Sequence, residues 1–575
     1  MSTRRKRAGL FCPVFAMRRE GDLGIGDTQG LIEFFDFARE FGFSVVQILP
    51  INETSGDNSP YNAVSSMALE PSTLAMIPGE VPGLTEESAG WALAEAAEGK
   101  QGPVRYGRVK ALKRALLEQA FERRKSGGWS EAETVAFEKF KKEQEAWLKD
   151  YALFRGLMER AGENPVWESW QAGWSNPGKA WQWLGRLGAE KRGAFEERLE
   201  FFKFVQWVLD RQWLKVRRAA EEAGVWLMGD LPFGVSRHSA DVWAYRGCFN
   251  LNWSGGAPPE PMFQQDTFTK VWGQNWGIPV YDWAAMEADD FGWWRQRVGG
   301  IVRHFHAFRI DHVLGFYRIY AFPWTPDKNA EVAEMEPEAV QEQFGALPQF
   351  LPGNDQNPEE AALNEAQGEK LLKMVIAASS GAEIVAEDLG MVPNYVRPSL
   401  ARLGISGFKI PLFERIEGSG EYKPVEDYPE LSLATFSTHD HETVLGTWEG
   451  WWREVEAGQA PDASDEVRDR GMKASWELYR TLRFARVNDR ELIREFEPVV
   501  MEGMWRRLLF CPSWLVMFSI TDALLLTIRF NVPGPVAESN WSERLPAPVQ
   551  EMAAEPVFAR RLALVRGLVS EAGRV

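Results

Sequence analysis

The sequence has few cysteines and no long apolar run. Its three cysteines, Cys12, Cys248 and Cys511, are odd in number and far apart, which argues against a disulfide framework and against a zinc site. No stretch approaches the roughly 18 consecutive apolar residues that a membrane-spanning helix needs. These absences predict a cytoplasmic protein that does not cross a membrane.

Positive charge is also scarce. The formal net charge is -17 at pH 7, which disfavours nucleic acids and anionic membrane surfaces as partners, because both would be repelled. A basic run at residues 4–7 precedes a short apolar stretch, and together they look like a secretory signal peptide. We favour the other interpretation, in which the apolar stretch is the first strand of a barrel.

The chain is long enough for one large domain with insertions or for several ordinary domains. Its 575 residues are 45% hydrophobic and 26% charged, a composition typical of globular proteins with a substantial core. We find no internal repeat, and no low-complexity tract long enough to indicate disorder.

Eight short apolar runs are typical of buried parallel strands. Helical patterns lie between several of them, for example at residues 30–44 and 369–379, and this alternation indicates a parallel α/β fold. Eight strands in such an alternation predict a (β/α)8 TIM barrel. The runs are residues 10–16, 45–50, 225–232, 307–311, 383–390, 407–413, 433–440 and 514–520.

The uneven spacing of these runs predicts large, mainly helical insertions within a single catalytic domain, residues 1–575. Residues 72–223, between the second and third strands, have the pattern of a helical subdomain. Residues 321–368, between the fourth and fifth strands, form an acidic insertion rich in Pro and Asn. Residues 445–510 form a further helical insertion before the eighth strand.

Three of the predicted strands end in carboxylates. Asp311 ends the fourth strand, Glu387 the fifth and Asp440 the seventh. Because active sites of such barrels lie at the carboxyl ends of the strands, we expect these side chains to meet in one mouth. Three converging carboxylates repel one another and need compensation, which favours a functional cluster over a structural one.

Two residues bear on how these carboxylates would ionise. Arg309, on the same strand face as Asp311, would keep Asp311 ionised and nucleophilic. Asp388 could keep its neighbour Glu387 protonated by repulsion, but a helix N-cap is the role that we favour for Asp388. Paired carboxylates cleave glycosides when one attacks or stabilises the anomeric carbon and the other protonates the leaving oxygen.

Tryptophan and histidine add to this pattern. The chain has 26 Trp, whose flat faces can stack on the apolar faces of sugars, although most Trp in any protein lies in the core. All six histidines fall within a few residues of the charged strand ends. They are His238, His304, His306, His312, His439 and His441.

Ten motifs occur in a defined order along the chain. "FRIDH", "VAEDLG" and "STHD" end three of the predicted strands. The others are "GDLGIGD" (21–27), "SPYN" (59–62), "GDLPFGVSRHSADVWAYRGCFNL" (229–251), "GAPPEPMF" (256–263), "GQNWGIPVYDW" (273–283), "FNVPG" (530–534) and "NW" (540–541). The first three resemble the catalytic blocks of the α-amylase superfamily. The ordered set, over nearly the whole chain, resembles the 4-α-glucanotransferase (amylomaltase, disproportionating enzyme) family.

The resemblance implies roles for particular residues of these motifs. Asp311 would be the catalytic nucleophile and Glu387 the general acid/base, and Asp440 would bind sugar hydroxyls and stabilise the transition state. The implied substrate-binding residues are Tyr61, Asp230, Trp276, Arg309, His312, His439 and Asn531.

The resemblance also places the aromatic residues and a lid. Tyr61 would stack on the sugar at the point of cleavage and Trp276 on the acceptor side. Residues 252–290 would form a lid and active-site loop region, mobile from about Pro258 to Gln274. Taken alone, the two aromatic residues would be read as core residues, "GAPPEP" as a turn and Asn531 as a capping residue.

The implied activity is transfer by retention, in two displacements, between α-1,4-glucans such as maltooligosaccharides, starch or glycogen. No cofactor or metal is implied, and no His/Glu metal spacing occurs in the sequence. An α-1,4-glucan hydrolase and a catalytically silent glucan-binding protein remain as alternatives. "THD" is followed by "HET", where the family usually has Asn-Asp-Thr, and the lid is longer and altered near its tip.

Overall fold

Twelve strands lie in the part of the chain that the computed structural model describes, residues 4–260, 266–534 and 539–574. They are β1 Arg7–Phe11, β2 Val45–Gln47, β3 Trp226–Leu231, β4 Phe249–Ala257, β5 Gln274–Tyr281, β6 Ala307–Ile310, β7 Ile319–Phe322, β8 Gln349–Leu351, β9 Glu383–Ala386, β10 Gly407–Lys409, β11 Ser432–Thr435 and β12 Leu515–Ser519.

Eight of these strands form a parallel barrel. Neighbouring strands follow the order β10, β11, β12, β1, β2, β3, β6, β9, and a parallel bridge between Val385 and Ser406 joins the two ends of the sheet. Strands such as β12 are buried at every position, because side chains fill the inside and helices cover the outside. The predicted (β/α)8 barrel is confirmed.

Seven barrel strands begin within one residue of their predicted starts, and the first does not. The sequence predicts a strand over residues 10–16, whereas β1 spans Arg7–Phe11 and a 3-10 turn follows at Val14–Ala16. Pro13 explains the difference, because a proline has no N–H to donate to the neighbouring strand and therefore ends the pairing.

The helices are α1 Thr28–Glu40, α2 Glu86–Ala96, α3 Tyr106–Glu122, α4 Glu131–Glu143, α5 Glu145–Arg160, α6 Pro177–Gly185, α7 Ala189–Ala223, α8 Ala240–Ala244, α9 Thr267–Trp272, α10 Trp283–Ala288, α11 Gly292–His304, α12 Leu314–Tyr317, α13 Asn329–Val332, α14 Pro337–Phe344, α15 Pro358–Ala378, α16 Val396–Leu403, α17 Val444–Gly458, α18 Asp465–Phe484, α19 Val499–Leu509, α20 Ile520–Ala523, α21 Val549–Ala554 and α22 Pro556–Glu571. Among the described residues, none of these helices is both long and apolar enough to cross a membrane.

The region between β2 and β3 contains six of these helices, α2 to α7. The longest, α7, ends at Gly224, whose left-handed backbone (φ 71°) suits a residue without a Cβ. Aromatic rings of α3 and α7 pack together there, with Phe121 and Phe204 centred 5.4 Å apart. Helices α17, α18 and α19 lie in the region before β12.

A second sheet lies beside the barrel. Strands β4, β5, β7 and β8 form it in the antiparallel order β5, β4, β7, β8. A small hydrophobic cluster that includes Trp272, Phe322 and Trp324 packs against it. The predicted loop region 252–290 thus contains most of β4, all of β5 and two short helices, while residues 261–265 of the predicted lid lie outside the described residues.

Candidate active site

Arg309 lies at the centre of a cluster of carboxylates at the carboxyl ends of β3, β6 and β9. Its Nη1 donates to Oδ2 of Asp230 at 2.6 Å, and its Nη2 donates to Oδ1 of Asp311 at 3.0 Å. The same Nη2 lies 3.0 Å from Oε2 of Glu387. The Arg309 side chain is 2% exposed, so these carboxylates, and not water, balance its charge.

Asp311 and Glu387 therefore approach one nitrogen atom from two strands. Their bound oxygens can lie no farther apart than twice 3.0 Å, which is compatible with the separation of about 5–5.5 Å in retaining glycosidases. The backbone N–H of His312 also donates to Oε2 of Glu387, at 2.8 Å. His312 has a left-handed backbone (φ 42°), a strained conformation of the kind that often occurs at functional sites.

Asp311 and Glu387 share Arg309 as a partner, but their pKa values shift in opposite directions. Burial raises the pKa of Asp311 well above its ordinary value, although Arg309 opposes the shift. Burial favours the neutral form of Glu387 too, but Arg309 and the N–H of His312 outweigh it and lower the pKa to about 2. In the unliganded site these shifts run opposite to the expected ionised Asp311 and protonated Glu387, because Arg309 serves both groups and Asp230 as well.

Asp230 lies beneath this cluster. Its side chain is 1% exposed, and its Oδ2 accepts hydrogen bonds from Arg309 and, at 2.7 Å, from the hydroxyl of Tyr61. These two hydrogen bonds fix the positions of Tyr61 and Arg309. The direct contact of Asp230 with substrate stays a prediction.

The Tyr61 ring stacks on a histidine. Its centroid lies 5.2 Å from that of His439, with the planes 14° apart, and Trp541 packs obliquely against both rings. His439 in turn places Nε2 3.3 Å from Oδ2 of Asp440. The structure thus brings Tyr61 and His439, both predicted to contact the sugar, next to the third carboxylate.

Asp440 has a more open environment than the other two carboxylates, with its side chain 34% exposed. Nδ2 of Asn531 donates to its Oδ1 at 2.6 Å. Asn531 is itself buried, so its amide holds Asp440 in place rather than capping a helix. The exposed part of Asp440 remains available to accept hydrogen bonds from hydroxyl groups.

Trp276 and His312 form the other side of the site. The Trp276 side chain is one of the exposed indoles, at 38%, and it meets the His312 ring edge to face at 4.7 Å. Burial lowers the pKa of His312 to about 4, so the imidazole is neutral at pH 7. It can therefore donate or accept a hydrogen bond without adding charge.

The other histidines are not all part of this site. His304 lies 3.1 Å from Asp210 of α7, His306 lies 3.2 Å from Glu221, and His238 lies 3.4 Å from Glu168. All three therefore pair with carboxylates of the helical insertion, residues 72–223. Nearness in sequence to a charged strand end therefore does not by itself place a histidine in the site, whereas His312 and His439 contact its residues.

Asp388 also differs from its predicted role. Its Oδ1 accepts from the backbone N–H of Phe408 at 2.6 Å, and its Oδ2 accepts from Nε of Arg397 at 2.8 Å. The next helix, α16, begins at Val396 with Tyr395 as its N-cap residue. The N-cap interpretation is therefore wrong, and Asp388 instead ties the end of β9 to β10.

Two residues that hold the segment around Asp440 escaped the sequence analysis. Arg529 donates from Nη2 to the backbone oxygen of Asp440 at 3.2 Å and from Nη1 to Oε2 of Glu442 at 3.3 Å. Asp522 accepts from the Ser437 hydroxyl at 2.6 Å and from the backbone N–H of Val444 at 2.8 Å. A carboxylate directly after the eighth apolar run is the signal that could have located Asp522, whereas Arg529 has no comparable signal.

Comparisons with known proteins find a matching family and similar relatives. The model of the 4-alpha-glucanotransferase family matches residues 12–550. The 4-alpha-glucanotransferase of Chlamydia caviae is 29% identical over 571 residues, which cover 96% of this chain and 93% of that protein. The 4-alpha-glucanotransferase of Thermus thermophilus is 30% identical over 429 residues, which cover 73% of this chain and 75% of that protein.

Solved structures share the fold. The amylomaltase from Streptococcus agalactiae in complex with acarbose has a TM-score of 0.72 and 22% identity, and the likeness covers 99% of this chain and 100% of that one. The amylomaltase from Corynebacterium glutamicum has a TM-score of 0.75 and 21% identity, covering 97% of this chain and 75% of that one. The overall fold is therefore that of known structures.

Proposed function

Because the chain belongs to the 4-alpha-glucanotransferase family, we propose that Asp311, Glu387 and Asp440 cleave α-1,4-glucosidic bonds and transfer the glucanosyl unit to the 4-hydroxyl of another glucan or of glucose. The observation that carries this assignment is the approach of Asp311 and Glu387 to the same nitrogen of Arg309, at 3.0 Å each. This geometry suits a retaining double displacement.

The first displacement needs a proton on Glu387 and a charge on Asp311, the reverse of the unliganded distribution. An incoming glucan draws Glu387 towards its glycosidic oxygen and away from Arg309 and the N–H of His312. Loss of these two contacts raises the pKa of Glu387. Arg309 then remains with Asp311 and favours its ionised form, so that the proton passes from one carboxyl to the other.

The chemistry then follows in two steps. Asp311 attacks the anomeric carbon, the glycosidic bond breaks, and Glu387 gives its proton to the departing oxygen. The 4-hydroxyl of an acceptor next attacks the same carbon while Glu387 takes its proton, and the ester to Asp311 breaks. Asp440, held by Asn531 and beside His439, binds hydroxyls of the reacting sugar in both steps.

Trp276 decides between transfer and hydrolysis. Its exposed indole beside His312 offers a flat apolar face for an acceptor sugar. A bound acceptor displaces water from the region in front of the glucosyl ester and holds its hydroxyl in line. Transfer is therefore favoured over hydrolysis whenever an acceptor is present.

We place the enzyme in the cytoplasm. Cys12, Cys248 and Cys511 are all free thiols in the structure, with Cys12 and Cys511 buried. A chain with unpaired cysteines and no disulfide suits a reducing compartment. Fractionation of the source cells with an antibody to the protein tests this placement.

Incubation of the purified protein with maltotriose tests the function. We expect glucose and a ladder of longer maltooligosaccharides at a constant count of reducing ends, and we expect Asp311→Asn to abolish both. Reducing ends that rise with turnover would instead show an α-1,4-glucan hydrolase. If neither maltotriose nor longer glucans react, the proposal fails and a glucan-binding protein becomes the leading interpretation.

A further inference from the structure

Trp253 is unusual among the tryptophans of this protein. Eight of the 26 are half-buried, and Trp253 is the only one of these eight, all of them in the described residues, that packs against neither hydrophobic cluster. Within the same residues its ring contacts no other aromatic ring, and its indole N–H has no hydrogen-bond partner. Half-buried tryptophans usually rest on the core, so the position of this side chain needs another explanation.

A bulge in β4 presents Trp253 to its surroundings. The pairing of β4 with β5 is interrupted between Asn250 and Ser254, so residues 251–253 take no part in the ladder. Bulges redirect side chains and are frequent near functional sites. Here the bulge turns the three residues into one wall of a groove.

The groove has a volume of about 570 Å³, within the range of small-molecule sites. Residues 251–253 form one wall, and residues 323–325 and 344–346, from the insertion that follows β6, contribute the rest together with Arg237. None of these residues belongs to the carboxylate cluster around Arg309. The insertion thus provides a wall of the groove as well as two strands of the second sheet.

The polar groups of the groove suit an uncharged ligand. Arg237 is held by Glu168, which accepts from its Nε at 2.9 Å, and by the backbone oxygen of Leu251, which accepts from its Nη1 at 2.8 Å. Its Nη2 has no partner within the described residues, and the side chain of Asn252 is exposed beside it. The charge of Arg237 is thus balanced, while planar N–H donors remain available next to an indole face.

We propose that this groove binds two or three glucosyl units of an α-1,4-glucan at a distance from the bond that is cleaved. Glucose presents apolar C–H faces to an indole and hydroxyls to planar donors, and it carries no charge. The proposal rests on the proposed function, which supplies this ligand. The groove would retain long glucans such as amylose and would have no effect on maltotriose.

Kinetics with short and long substrates provide the first test. We expect Trp253→Ala to raise the KM for amylose about 5- to 10-fold, the size of one lost aromatic contact, and to leave the kinetics with maltotriose within about twofold of wild type. Trp253→Phe, which keeps a ring, should restore most of the loss. Trp91→Ala removes an exposed indole on α2 and should leave the kinetics with both substrates unchanged.

Binding without turnover provides the second test. Calorimetric titration of Glu387→Gln with maltoheptaose should show two binding events. The double variant that combines Glu387→Gln with Trp253→Ala should show only one. An unchanged titration, with an amylose KM equal to that of Trp91→Ala, would overturn the proposal. If the wild-type protein fails to convert maltotriose, the proposed function falls, and the titration still decides whether the groove binds glucan.

Discussion

Arg309 and Asp230 face each other on β6 and β3 and form a buried ion pair, with Nη1 2.6 Å from Oδ2. The same carboxylate oxygen accepts from the hydroxyl of Tyr61. One buried carboxylate therefore fixes the cation that Asp311 and Glu387 share. We therefore expect Asp230 to act on the reaction through these partners, as a positioning residue.

Asp230→Asn should lower both stability and activity. Removing one partner of a buried ion pair costs about 3–5 kcal/mol in the free energy of unfolding. We expect kcat to fall by about 100-fold through misplacement of Arg309. The negative charge of Asp230 also raises the pKa of Asp311, whose proton the reaction needs, so the alkaline limb of the kcat/KM profile should move to lower pH.

Asp210→Asn is the matched control for this pH shift. Asp210 forms a mostly buried pair with Arg303 at 2.6 Å, away from the carboxylate cluster. The free energy of unfolding of the control, measured in urea, should be lower than that of wild type. Its kcat/KM should depend on pH as in the wild type. A profile that is the same in Asp230→Asn and Asp210→Asn would contradict the positioning role.

Glu387→Gln and Asp311→Asn should differ on a donor whose leaving group needs no proton. With maltotriose, loss of the general acid should cost about 10²–10⁴-fold in rate. With α-maltosyl fluoride, Glu387→Gln should still release fluoride and form the maltosyl ester of Asp311, which mass spectrometry of the intact protein would detect. Asp311→Asn should form no ester from either donor. Ester formation by Asp311→Asn would show that another residue is the nucleophile.

The barrel was predictable from the sequence because each strand is a short, continuous apolar run of its own. The second sheet was not, because β4 contains Gly255 and Gly256 and β5 contains Pro279. These residues indicate turns when read locally. The strands form because β4 pairs with residues far along the chain, such as Phe322 of β7, and no local pattern records such a partner.

The active site, like the fold, could be predicted from the sequence only in part. The residues Asp311, Glu387 and Asp440 stand at strand ends, where the barrel fold alone assigns a common location. The partners that set their charges come from distant parts of the chain, as with Asp230 and Arg309 or Asp440 and Asn531. The position of the proton depends on these distances, so the sequence could indicate the carboxylates but not their ionisation.

Trp276→Ala should shift the enzyme from transfer towards hydrolysis. The indole is the exposed aromatic face beside His312, and its loss should raise the KM for a glucose acceptor about 10-fold. Water would then reach the glucosyl ester more often, so reducing ends should accumulate from maltotriose. Trp476→Ala, which removes an exposed indole on α18, should leave the ratio of hydrolysis to transfer unchanged. Equal ratios in both variants would remove Trp276 from the acceptor site.

Arg529→Gln should lower kcat while leaving KM for maltotriose within about twofold of wild type. Arg529 holds the backbone of Asp440 and pairs with Glu442, so its loss displaces the carboxylate that stabilises the transition state. A displacement of about 1 Å costs about 100-fold in rate. Glu442→Gln retains an acceptor for Arg529 and should lose much less. A rise in KM without a fall in kcat would instead indicate a direct contact with substrate.

Asp522 should make stability fall as pH rises. Burial raises its pKa to about 6, although the Ser437 hydroxyl and the Val444 N–H oppose the shift. An unfolded Asp titrates near 3.9, so folding binds a proton between about pH 4 and pH 6. The stability that comes from the neutral carboxyl is fully present below about pH 4 and is lost as the pH rises through 6.

The amide side chain introduced by Asp522→Asn cannot titrate. The variant should therefore not lose this stability as the pH rises through 6. The free energy of unfolding of the variant, measured in urea relative to wild type, should increase by about 2 kcal/mol from pH 4 to pH 7. Asp210→Asn should show no such increase over this range, because Arg303 and His304 outweigh burial and lower the pKa of Asp210, so the stability from its carboxylate is lost only below about pH 4. A difference for Asp522→Asn that does not change with pH would mean that this carboxyl is ionised in the folded protein throughout the range.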